Sequence, residues 1–218
     1  MSDSIPLKKS TGKSGEDEPG PLTVAYDIVV VGTSWGGLYA LRSLVEALPR
    51  DYELPTAIVQ HRHKDSDALL ARFLQDHTQL RVCEVEDKQP IEPGGLFIAP
   101  ANYHMLVEKG WFALSTEAPV RHSRPSIDVA MTSAAVAYGH RAVGVILTGA
   151  NSDGADGLRR LAAAGGMAVI QDPRSAEVKA MPDAAMRVVP KARVFPLERI
   201  APFLGELPSS HDRSRWLA

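Results

Sequence analysis

The chain has 218 residues, 44% of them hydrophobic and 23% charged, with a formal net charge of −2 at pH 7. That length and mix suit a globular domain with one sizeable core, and a faintly acidic balance without a basic, aromatic-laced run argues against a nucleic-acid partner. No apolar run reaches the ~20 residues that cross a bilayer, Met1 to Gly20 lacks the apolar core of a signal peptide, and the lone Cys83 has no internal disulfide partner, so a cytoplasmic location without membrane insertion is expected.

Residues 1–24 are rich in Ser, Gly, Lys, Asp and Glu and read as a disordered tail, followed by one domain over 25–207 and a polar, frayed tail over 208–218. Ile28 to Val31 is an apolar, β-branched run that stops at Gly32. Leu38, Leu41, Leu44, Val45 and Leu48 then recur at helical spacing, which predicts a buried strand, a tight turn and an amphipathic helix. Thr56 to Gln60 is a second buried strand, followed by a helix paced by Leu69, Leu70, Phe73 and Leu74. Leu80 to Val85 and Gly95 to Ala99 are short strands, and Met105 to Leu114 is a hairpin turning at Lys109-Gly110. Pro125 opens a helix through Val129, Met131, Ala135 and Val136, with Ser123 or Arg124 near its cap. Val143 to Leu147 is a buried strand, and Asp153 begins a helix closed by Gly165-Gly166. Met167 to Ile170, a short helix over Pro182 to Met186, Val194-Phe195 and a helix over Leu197 to Leu204 complete the order. Such alternation with near-continuous apolar strands predicts an α/β fold: a doubly wound, mostly parallel sheet with helices on both faces and a β-hairpin insertion.

In such a sheet, ligands bind beyond the carboxyl ends of the strands, so the polar residues that follow each buried strand should meet. Ser34 follows the first, inside Gly32-x-Ser34-x-Gly36, where flanking glycines permit a strained turn and a helix N-terminus stands behind the hydroxyl. The same stretch is also compatible with a dinucleotide-binding turn or plain tight packing. Gly32, Gly36 and Gly37 do not make G-x-G-x-x-G, however, and no Gly-Lys-Ser/Thr follows for a P-loop. His61 follows the second strand, with His63, His104 and His122 as competitors, and Asp153 follows the Val143–Leu147 strand. Ser34, His61 and Asp153 would make a nucleophile, base and orienting acid, whereas Asp153 taken alone reads first as a helix N-cap. The order Ser, His, Asp differs from the α/β-hydrolase order. Arg62, Arg121 and Arg124 are placed to face the same mouth and attract an acidic partner, or else to be solvated surface charge. Trp35 is either a substrate platform or a cover for the first helix. No zinc-ligand spacing occurs, and no metal or other cofactor is expected.

Together these residues resemble the catalytic domain of the chemotaxis receptor methylesterases, the CheB-type protein-glutamate methylesterases. The resemblance runs from about Asp27 to Leu204. It is carried by Gly32-Thr33-Ser34-Trp35-Gly36-Gly37, Val59-Gln60-His61, Leu96-Phe97-Ile98-Ala99-Pro100-Ala101 and Arg124-Pro125-Ser126-Ile127-Asp128. It continues through Ile146 to Ala155, Ala164-Gly165-Gly166, Gln171-Asp172 and Met181-Pro182.

The resemblance implies the Rossmann-like methylesterase fold, with Ser34 as nucleophile, His61 as base, Asp153 as orienting acid, and the backbone N–H groups of Trp35 and Ala150 at the oxyanion. It implies hydrolysis of glutamyl methyl esters on the cytoplasmic helices of methyl-accepting chemoreceptors, and deamidation of receptor glutamines by the same acyl chemistry. Trp35 departs from a smaller family residue, and Ala150-Asn151 from Met-Gly. About 25 polar residues before the match are too few for the receiver domain of typical members, since a domain takes upward of ~50, so an enzyme that is constitutively open or regulated in trans is expected. The alternatives are a non-catalytic binding module of the same fold in a signalling complex, and a serine esterase for other acyl substrates.

Overall fold

A computed structural model describes residues 24–63 and 69–211. The expected N-terminal tail through residue 23, and residues 212–218 of the expected C-terminal one, lie outside the described residues. The elements in chain order are β1 (Ile28–Thr33), α1 (Gly37–Ala47), β2 (Thr56–Gln60), α2 (Leu69–Gln75), β3 (Val82–Glu84) and β4 (Leu96–Ile98). The hairpin strands β5 (His104–Glu108) and β6 (Trp111–Ser115) come next, then α3 (Ile127–Tyr138), β7 (Ala142–Ile146) and α4 (Ala155–Ala163). The order closes with β8 (Met167–Gln171), α5 (Ala180–Val188), β9 (Arg193–Phe195) and α6 (Leu197–Gly205).

Seven strands form one sheet in the order β3-β4-β2-β1-β7-β8-β9, every neighbouring pair parallel, while β5 and β6 pair antiparallel in a separate ribbon. Strand alternation explains the apolar runs. Val29 and Val31 face a core shared with α1, α2 and α6, whereas Ile28 and Val30 face a second core shared with α3, α4, α5 and the hairpin. The chain steps from β1 to β2 on one side and returns with β7 on the other, so the switch in strand order lies between β1 and β7.

Two glycines let α3 reach that switch. A Cβ on Gly32 would lie 2.2 Å from Ile127 Cγ2, and one on Gly154 would lie 2.6 Å from the same atom. Gly32 therefore serves close packing, not turn dihedrals; of the glycines around Ser34, only Gly36 (φ 76°) is left-handed.

Three expectations are corrected. The cap of α3 is Ser126, not Ser123 or Arg124, with its hydroxyl accepting from Val129 N–H at 3.5 Å. Helix α4 starts at Ala155 behind a left-handed Gly154 (φ 90°) with no side-chain cap, the Asp153 carboxylate being engaged at the start of α3. The segment from Pro208, read as frayed, is docked at its start: Ser209 bridges Tyr26, Tyr26 N–H donates to Pro208 O at 2.8 Å, and Ser210 hydrogen-bonds Asp27 through its hydroxyl.

Candidate active site

Ser34 is the first residue past β1, and its main chain is fixed from three sides. Its N–H donates to Thr148 O at 3.0 Å, and its carbonyl accepts from Gly37 N–H and Gln60 Nε2, each at 2.9 Å. Gln60 Nε2 also reaches His61 O at 3.0 Å, so one amide ties the serine turn to the end of β2. Gly37 makes room for it, since a Cβ there would sit 2.0 Å from Gln60 Oε1. With Ser34 N–H committed, the N–H groups of Trp35 and Ala150 stay without an acceptor among the described residues. Trp35 lines the Ser34 cleft ahead of α1, and Ala150 follows β7.

The His61 ring bridges inward. Its Nε2 lies 2.7 Å from Asp153 Oδ2, and its side chain is 12% exposed against 0% for the aspartate. Asp153 Oδ2 also accepts from Ile127 N–H at 2.8 Å. Oδ1 accepts from Ser126 Oγ at 2.9 Å and from the N–H groups of Asp128 and Gly154, each at 3.1 Å. The carboxylate thus sits on the N-terminus of α3, where unpaired N–H groups favour an anion. Burial, the largest single influence, pushes its pKa up. Hydrogen bonds from His61, Ile127 and Asp128 and the attraction of the imidazole together outweigh burial and hold it below the usual carboxylate value. Asp128, one turn along, goes the other way: burial first, and the repulsion of Asp153, raise it against the Gly157 N–H and Arg121.

The Asp153 contact occupies Nε2 of His61 and leaves Nδ1 on the opposite side of the ring. Nδ1 has Ser123 Oγ and Asn151 Nδ2 each 3.5 Å away. Ser34 Oγ makes no hydrogen bond with it among the described residues, although both residues line one cleft of about 480 Å³ with Trp35, Tyr39, Gln60 and Glu177. Unliganded catalytic hydrogen bonds are commonly open and tighten with substrate. Trp35 is 66% exposed, which removes the reading of it as a cover for α1.

Arg62 and Arg124 line a second cleft on the far side of His61. Their guanidinium groups are committed to neighbours: Arg62 Nη2 to Ala99 O at 2.8 Å and Glu84 at 3.2 Å, Arg124 to Asn102, Thr116 O and Glu117 O. They brace the loops around the mouth. Arg121, on a tight turn where both it and His122 take positive φ, spans from Asp128 to within 3.4 Å of Ser152 Oγ. His104, a competitor for the base, is buried, with Nδ1 accepting from Ser126 N–H and Nε2 donating to Ala118 O, so it stands behind the site.

Periodicity missed Ser126 and the struts Gln60, Thr148 and Gln171. Thr148 Oγ1 accepts from Val178 N–H at 2.9 Å, and Gln171 Oε1 accepts from Thr148 N–H at 2.8 Å. The available signal was position, since Gln60 and Gln171 end buried strands and Thr148 lies two residues past one. No group of three or more His, Cys, Asp or Glu that could hold a metal occurs among the described residues, nor is any helix there long and apolar enough to cross a membrane.

An all-parallel, doubly wound sheet with a serine turn and a histidine–carboxylate pair beyond its strand ends is the architecture of an α/β enzyme. The sequence profile described as CheB methylesterase matches residues 29–204, and the chain belongs to that family. A relative from Leptospira interrogans is 40% identical over 191 residues, covering 87% of this chain and 99% of its own length. The protein-glutamate methylesterase/protein-glutamine glutaminase 2 of Anaeromyxobacter dehalogenans is 39% identical over 83% of this chain, yet only 53% of its own length is matched. The crystal structure of the Thermotoga maritima CheB methylesterase catalytic domain superposes with a TM-score of 0.79 at 30% identity, covering 84% of this chain and 99% of that one.

Proposed function

We propose that the chain is a protein-glutamate methylesterase acting on the cytoplasmic helices of chemoreceptors, through Ser34, His61 and Asp153. The observation that carries the reading is the 2.7 Å contact between buried Asp153 and His61, a residue that lines one cleft with Ser34.

In the forward step, Nδ1 takes the Ser34 hydroxyl proton as Oγ attacks the γ-carbonyl of the glutamyl ester. The N–H groups of Trp35 and Ala150 receive the oxyanion. The imidazolium, stabilised by Asp153, returns its proton to the departing methoxide, and methanol leaves an acyl-serine. Water, deprotonated by Nδ1, then releases the glutamate. A glutamine side chain fits the same sequence with ammonia as leaving group, and the glutaminase in the names of relatives supports that second activity.

The test is methanol release from membranes bearing methyl-labelled chemoreceptors. Ser34→Ala and His61→Ala should each lower turnover by about 10³-fold or more. Equal release by wild type and Ser34→Ala would sink the nucleophile assignment. Receptor binding without release by wild type would favour a non-catalytic module.

A further inference from the structure

Glu177 is the one carboxylate among the residues lining the Ser34 cleft. It is exposed, and it has no hydrogen-bond or ion-pair partner among the described residues. Its side chain lies across Gly36: a Cβ on that glycine would meet Glu177 Oε2 at 2.7 Å and Glu177 Cβ at 2.8 Å. The next residue anchors it. Val178 N–H donates to Thr148 Oγ1 at 2.9 Å, and Val178 O accepts from Gly149 N–H at 3.0 Å, so the carboxylate is held on the same loop system that carries Ala150.

Resting on the esterase reading, we propose that Glu177 is a specificity-determining residue that admits the uncharged glutamyl ester or amide and rejects the carboxylate product. The chemistry asks for such a device. The N-terminus of α1, with its unused N–H groups, attracts an anion and would hold the glutamate product as well as the oxyanion. In the transition state the oxyanion is formed together with an imidazolium, because the serine proton has only moved to His61. The reacting groups keep their net charge, and Glu177 faces a dipole. After hydrolysis the new acid gives its proton through His61 to solvent, and Glu177 then faces a net negative charge within one cleft. Like-charge repulsion at that range is modest in water and grows where solvent is excluded.

The experiment measures turnover of p-nitrophenyl acetate by the full chain, with two competitive inhibitors of nearly equal shape: N-acetylglutamate α-amide, an anion, and N-acetylglutamine α-amide, which is neutral. In wild type the anion should inhibit more weakly, and Glu177→Gln should cut the anion-to-neutral Ki ratio by about three- to tenfold at low ionic strength, an effect that shrinks in 0.5 M salt. Glu177→Asp should keep most of the ratio, separating charge from packing. An unchanged ratio in Glu177→Gln, a change that persists at high salt, or no inhibition of wild type by either compound overturns the proposal. Absence of Ser34-dependent turnover in wild type would instead overturn the esterase reading on which it rests.

Discussion

Asp153 receives hydrogen bonds from His61, Ser126 Oγ and the N–H groups of Ile127, Asp128 and Gly154, so its charge is answered from several segments at once. Because its folded pKa is lowered, the carboxylate contributes stability that is complete above the unfolded value near ~4 and is lost as pH falls through the lower folded value. Asp153→Asn should therefore lose stability to urea at pH 7, and the gap to wild type should narrow steadily on acidification. A gap constant with pH would show that shape, not charge, holds the site. In turnover the same variant should fall by about 10³-fold, since Asn can present an N–H to Nε2 and reverse the tautomer. Two of the arginines expected at the mouth line the cleft beside His61. Arg62 and Arg124 do reach the mouth, but irregular backbone there leaves carbonyls of Ala99, Thr116 and Glu117 to be satisfied, and the guanidinium groups go to those.

Helices α3 and α4 share the second core, and small residues set the distance between them. A Cβ on Gly157 would stand 2.9 Å from the Asp128 backbone, and one on Gly154 would meet Ile127 and Ile146 side chains, each at 2.6 Å. Gly154→Ala adds a left-handed β-carbon to that clash and should cost about 2–4 kcal/mol in urea denaturation. Turnover should fall beyond what the unfolded fraction explains, as Asp153 is the adjoining residue. Unchanged turnover in the folded fraction would refute the coupling. The elements themselves were legible, for a physical reason: strands buried on both faces read as unbroken apolar runs, and Ile28 to Val31 are all fully buried. Their polar followers Ser34, His61 and Asp153 were legible for the same reason. The start of α3 was not, because Ser126 is held by a carboxylate 27 positions away, and that same carboxylate is engaged at α3 instead of capping α4. Contacts such as Thr33 Oγ1 to Thr148 O, 115 positions apart, leave no periodic trace.

Across the whole molecule, every strand of the main sheet points its carboxyl end toward one edge, and the candidate chemistry gathers there. The opposite edge carries the zipper between Tyr26-Asp27 and Pro208–Ser210, backed by the Arg141–Asp27 ion pair at 3.0 Å. Ending the chain after Leu207 should expose Tyr26 and cost about 1–2 kcal/mol, while folded protein keeps its turnover. Loss of activity without loss of stability would contradict that separation. Because that zipper sets the two ends of the described chain side by side, about 20 Å from Ser34 by the length of β1, the unit has the geometry of a cassette. It can be spliced into a larger polypeptide through neighbouring attachment points without reorienting its working edge. The Anaeromyxobacter dehalogenans relative, in which the matched region fills 53% of the length, fits such portability.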